Sequence, residues 1–220
     1  MVELSTHSEA AVSLDLDGVV FKRFPFQFKA IWRRHLLRKG VGIYLPPAEI
    51  PEMVREEVTD RLRPAELPNF IVHMVRRVPE EVKSAILSLY GIGFDIYGNT
   101  GRSSRGPWVN MTMASLERHG VLDYFLDVFF KPEGFKTRDS KINAVAKLRE
   151  RYERVVHFDD NPEDALPMAE LFPDVKLVIV QDKSTGLLYS REEALRYHNV
   201  TRVITFQQGA RSLASLLSTV

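Results

Sequence analysis

Residues 10–21 read Ala-Ala-Val-Ser-Leu-Asp-Leu-Asp-Gly-Val-Val-Phe, "AAVSLDLDGVVF". The apolar run has the composition of a chain entering a buried strand, yet Asp15 and Asp17 interrupt it one residue apart. Buried carboxylates are costly unless they are paired or bound to a cation. A side-chain period of two sets both acids on the same side of an extended chain. Gly18 follows, where a turn is easiest without a Cβ. The stretch therefore reads as a core strand with a polar carboxyl end, the place where parallel sheets put their ligands.

The rest of the chain fits a parallel sheet. Pro79-Glu80-Glu81 starts a helix that runs to Tyr90 and stops at Gly91. A strand from Ile92 to Tyr97 follows, ending in Gly98-Asn99-Thr100-Gly101-Arg102. Pro107 opens a helix to about Gly120, and 124–130 reads as a strand. Residues 139–152 form a helix capped by Asp139 or Ser140. Strand 154–158 runs into Asp159-Asp160, Pro162 to Leu171 is a short helix, 175–180 and 202–206 are strands, and 209–218 is a closing helix. Helix and strand alternating at crossover spacing imply an α/β, doubly wound, mostly parallel sheet with helices on both faces. Segment 23–78 breaks the alternation. Its helical stretches, at 26–39, 48–63 and 69–77, are punctuated by Pro46-Pro47, Pro64 and Pro68. It reads as a small inserted helical domain, leaving 1–22 and 79–220 as the core.

Composition narrows the function. With 220 residues, 45% of them hydrophobic, the chain can bury a sizeable core. It has no cysteine, which excludes disulfides, zinc-thiolate sites and thiol catalysis. A formal net charge of +1 gives no global field toward nucleic acid or an acidic membrane surface. No apolar run is long enough to span a bilayer, and the N-terminus lacks a basic-then-apolar leader, so the expectation is a cytoplasmic protein.

Three strand ends carry reactive groups: Asp15 and Asp17, then Thr100-Gly101-Arg102, then Asp159-Asp160 with Asp164 one turn on. Lys131, Lys136 and Lys141 lie between the second and third. Carboxylates gathered in one place repel, and a hard divalent cation such as Mg2+ removes that repulsion while leaving positions for phosphate oxygens. A hydroxyl and an ammonium are the remaining donors for a transferring phosphoryl group. The residue types fit phosphoryl transfer through an aspartyl-phosphate.

In that order, "DLDGVV", "YGNTGR", a lysine-bearing segment and "HFDDNPED" resemble the haloacid dehalogenase (HAD) superfamily of phosphohydrolases over residues 10–21 and about 80–180. The resemblance implies Asp15 as nucleophile and Asp17 as general acid and then base. Mg2+ would be held by Asp15, the backbone carbonyl of Asp17, Asp159 and Asp160. It implies Thr100 as a hydrogen-bond donor to a phosphoryl oxygen, Arg102 as a substrate contact, Asp164 as an anchor for the lysine, and Lys141 as that lysine, with Lys131 and Lys136 as alternatives. The insert corresponds to a cap that closes over the site and selects a small phosphorylated metabolite.

Some features have plainer readings. The basic run Lys22 to Lys39 reads as the solvated face of a helix rather than a nucleic-acid surface. Trp108 reads as packed, Arg105 as exposed, and His157 as a core histidine. Three rivals remain beside a phosphatase: a receiver-like domain, a binding or regulatory protein on this scaffold, and a phosphotransferase sharing the same first step. Motif order argues against the receiver, and the near-zero net charge argues against a nucleic-acid scaffold.

Overall fold

The computed structural model describes residues 8–22, 66–180 and 196–217. Strands β1 (Ala10–Asp15), β2 (Asp95–Ser103), β3 (Phe125–Lys131), β4 (Arg154–Asp159), β5 (Lys176–Val180) and β6 (Val200–Val203) form one parallel sheet ordered β3-β2-β1-β4-β5-β6. The helices are α1 (Leu67–Met74), α2 (Glu80–Gly91), α3 (Gly106–Arg118), α4 (Thr137–Arg149), α5 (Pro162–Leu171) and α6 (Phe206–Leu217). The chain leaves β1 on one side for β2 and β3, then crosses to the other side for β4. The order therefore reverses between β1 and β4, and a crevice opens beyond their carboxyl ends.

The period of two divides the core cleanly. Val12, Leu14, Ile96, Val156 and Phe158 face α2, α3 and α6, where they meet Ile86, Leu89, Leu116, Phe206 and Leu213. Ala11, Tyr97, Val155 and Leu177 face α4 and α5, where they meet Val145, Leu148, Met168 and Ala169. Odd-numbered residues of β1, β2 and β4 thus point toward α4. Strands apolar on both faces are what a sheet covered by helices on both sides requires.

Several boundaries differ from the sequence reading. β1 ends at Asp15, and Asp17 lies in a tight loop closed by Gly18 N–H to the Phe21 carbonyl at 3.0 Å. Gly18 has φ 116°, a conformation L side chains avoid. α2 runs through Gly91, and its exit turn falls at Gly93, with φ 90°. β2 consequently starts at Asp95 and continues through Thr100 to Ser103, so "GNTGR" is strand rather than loop. α4 starts at Thr137 after extended Lys136, leaving Asp139 and Ser140 inside the helix and neither as its cap. β6 covers Val200–Val203, because Phe206 already begins α6.

The helices expected at 26–39 and 48–63 lie outside the described residues. The one expected at 69–77 is α1, Leu67–Met74. It packs on the core through Phe70, edge-on to Trp108 at 5.3 Å between ring centroids. Among the described residues, no helix is long and apolar enough to cross a membrane.

Candidate active site

Asp15 and Asp159 end the two strands that flank the crevice, both on the α4 side. Lys141 projects between them from the second turn of α4. Its ammonium lies 3.1 Å from Asp15 Oδ1, 2.7 Å from Asp159 Oδ2 and 3.3 Å from Asp164 Oδ2, and only 3% of the residue is exposed. Asp15, Asp159 and Asp160 are buried, each with a carboxylate oxygen within 4.8 Å of the others. Three clustered hard oxygens with one ammonium nearby suit a divalent cation of the magnesium type.

Burial pushes the Asp15 carboxyl well above its ordinary range. Lys141 pulls it down, while Asp159, Asp160 and Asp17 add to the rise. Burial also works against ionised Asp159, but Lys141 and His157 outweigh it and hold that carboxyl below the usual range. Lys141 is desolvated, yet its acids raise it well above an ordinary lysine.

A polar layer lies directly beneath. His157 Nδ1 is 2.9 Å from Ser13 Oγ, and its Nε2 is 3.3 Å from Asp159 Oδ2. Asn99 Nδ2 donates to Ser13 Oγ at 3.3 Å and to the Lys141 carbonyl at 3.2 Å. Ser13, Asn99 and His157 are fully buried. His157 is thus a core residue, as read from the sequence, but a hydrogen-bonded one.

Asp17 is separated from this cluster. Arg102 grips it bidentately, Nε to Oδ2 at 3.0 Å and Nη2 to Oδ1 at 2.7 Å, and Arg76 Nη1 reaches Oδ1 at 2.5 Å. His73 Nδ1 lies 3.2 Å from the same oxygen. Burial opposes the charge, but Arg102 and His73 override it and hold Asp17 well below the usual carboxylate range. Burial lowers His73 below an ordinary histidine, against the pull of Asp17. Arg102 is therefore occupied by Asp17; it also donates to Thr112 Oγ1 at 2.9 Å and stacks on Phe21.

These groups open on a cleft of about 390 Å³ lined by Asp15, Asp17, Lys141 and Asp164, with His73 and Trp108 on the α1 side. Thr100 is not on that lining. Gly98, two residues before it, faces Leu16 and Val128, and Arg102, two after it, reaches Thr112 of α3. The alternation turns Thr100 to the same face, away from Asp15, and it is fully buried. Ser103 and Thr137 are the hydroxyls lining the cleft. Of the three lysines, Lys141 meets the acids, Lys131 lines the cleft edge, and Lys136 precedes α4. Arg105, expected at the surface, is buried in ion pairs with Glu66 at 3.7 Å and with Glu133, while Trp108 is packed as expected. His73 and Arg76 were not legible: they meet Asp17 from far along the chain, and no spacing marks such a contact.

No protein-family model matches this chain, and no curated protein matches it in sequence. Solved structures do match its fold. A protein from Clostridium acetobutylicum described as a predicted phosphatase superposes with TM-score 0.59 at 13% identity, over 96% of this chain and 100% of that one. A HAD-like hydrolase from Streptococcus pneumoniae gives 0.56 at 11%, over 92% and 97%. A HAD hydrolase from Bacillus subtilis, solved bound to magnesium, gives 0.57 at 13%, over 94% and 99%. At such identities the likeness is one of fold: this chain has the α/β fold of HAD hydrolases and phosphatases, with a buried acid cluster at its sheet's carboxyl end.

Proposed function

We propose that this protein is a magnesium-dependent phosphomonoester hydrolase working through an aspartyl-phosphate on Asp15. One observation carries the reading: a buried carboxylate at the end of the central strand, held against Lys141 and two further acids, facing an open cleft. Asp15, Asp159 and Asp160, with the Asp17 carbonyl, would hold Mg2+, which supplies charge neutralisation for the incoming phosphoryl group and keeps Asp15 ionised.

An Asp15 oxygen attacks phosphorus and the bond from phosphorus to the ester oxygen breaks, leaving an acyl phosphate on Asp15. The departing oxygen takes a proton from Asp17, which first gains that proton from solvent against the pull of Arg102 and Arg76. Asp17 then accepts a proton from water as that water attacks phosphorus, releasing phosphate and regenerating Asp15. The arginines hold Asp17 in the ionised form that this second step needs. Lys141 balances the acids at the point of attack. Segment 23–78 acts as the cap; its described end supplies Glu66, Asn69 and His73 to the cleft wall. A cleft of about 390 Å³ suits a small phosphorylated metabolite.

The test is hydrolysis of para-nitrophenyl phosphate with and without Mg2+, beside Asp15→Asn. Mg2+-dependent turnover lost in a folded Asp15→Asn variant is expected. Turnover that survives the substitution, or that ignores divalent cations, would remove the assignment.

A further inference from the structure

Asp159 is held at both of its carboxylate oxygens. Lys141 and His157 meet Oδ2, while the Asn161 N–H donates to Oδ1 at 2.8 Å. We infer that His157 is a positioning residue, which fixes the orientation of Asp159 toward the cation through a hydrogen-bond chain running across three strands.

The place of the proton follows from donor and acceptor chemistry. An ionised carboxylate only accepts, so the 3.3 Å contact places the proton on His157 Nε2. The other ring nitrogen, Nδ1, pairs with the Ser13 hydroxyl at 2.9 Å. That hydroxyl also accepts from Asn99 Nδ2, which ties the chain to the Lys141 carbonyl. The chain thus runs from Asn99 of β2 through Ser13 of β1 and His157 of β4 to Asp159. Ser13 and His157 sit opposite each other in the strand register, each two residues before its acid. None of these side chains reaches the cleft lining, so the effect on chemistry passes through Asp159. Groups that orient a metal ligand in this way commonly change metal affinity about 10- to 100-fold when removed.

The inference rests on the magnesium reading above, and the experiment separates the two. Mn2+ is titrated into wild type, His157→Gln, His157→Asn and Ser13→Ala, alongside melting temperatures. A Gln amide can occupy the Nε2 position and an Asn amide the Nδ1 position. His157→Asn is expected to lose about 10- to 100-fold in Mn2+ affinity, and His157→Gln to recover most of that factor at a similar melting temperature. The 15N spectrum of the wild-type imidazole supplies a readout independent of metal and should show the proton on Nε2. Equal losses in both variants, or an Nε2 without a proton, would overturn the inference. A wild type with that proton in place but no affinity for Mn2+ would instead defeat the magnesium reading.

Discussion

Asp17 is the residue whose surroundings most constrain its chemistry. Its carboxylate sits between two buried guanidiniums, with Arg102 in a two-point grip. Asp17→Asn would leave both cations facing a neutral amide. Removing one partner of a buried pair commonly costs about 3–5 kcal/mol, and that loss is expected at neutral pH. The pH dependence has a definite sign. The folded carboxyl lies well below its value of about 3.9 in an unfolded chain, so its contribution is complete above that value. It fades as pH falls toward the folded value, because the unfolded chain takes up the proton first. Urea midpoints measured from pH 7 down to pH 3 should therefore fall more steeply for wild type than for Asp17→Asn. Parallel curves would mean that the arginines do not hold the charge.

Elements place these residues through two constraints, strand alternation and close helix approach. Alternation was legible in part: the quoted stretch predicts Asp15 and Asp17 on one side of an extended chain, but β1 ends at Asp15 and Asp17 lies in the loop beyond it. The order of strands and helices was legible as well, since each carries its own period and its own Gly or Pro stops. The strand ends were less so, because β2 gains its last residues from pairing with β3, which no local signal encodes. That extension turns Thr100 away from the cleft. The approach of α4 was invisible in the sequence. A Cβ on Gly101 would stand 2.6 Å from Thr137 Cγ2, at the first residue of α4. Lys141 lies four residues further along the same helix face. Gly101→Ala should thus cost about 1–3 kcal/mol through overpacking, and should lower turnover further by moving Lys141. Thr137→Ala in the same chain should restore both, as read by melting temperature and kcat. A fully active, fully stable Gly101→Ala would show that the helix does not approach so closely.

For the whole molecule, a formal net charge of +1 conceals a strongly uneven distribution. Asp15, Asp159 and Asp164 converge on Lys141 with Asp160 beside them, so the site carries excess negative charge that the rest of the chain offsets. The fold relieves part of this by raising the Asp15 carboxyl. Because that value is raised, the cation-free fold loses stability as pH climbs through the Asp15 titration, while the unfolded chain ionises without penalty. A bound divalent cation reverses the balance, since it favours the ionised acids and binds the folded chain alone. Ligand linkage gives about 2.7 kcal/mol at a hundredfold excess over Kd. For a chain of this length, that corresponds to roughly 5–11 °C in melting temperature. Mg2+ should therefore raise the melting temperature relative to EDTA, by more at pH 8 than at pH 5, and Asp160→Asn should blunt the rise. The measurement needs no substrate, so it tests the acid cluster as a cation site independently of any phosphoester. A melting temperature indifferent to Mg2+ at both pH values would leave Lys141 to balance these acids among the described residues and would point to a phosphoryl chemistry without metal.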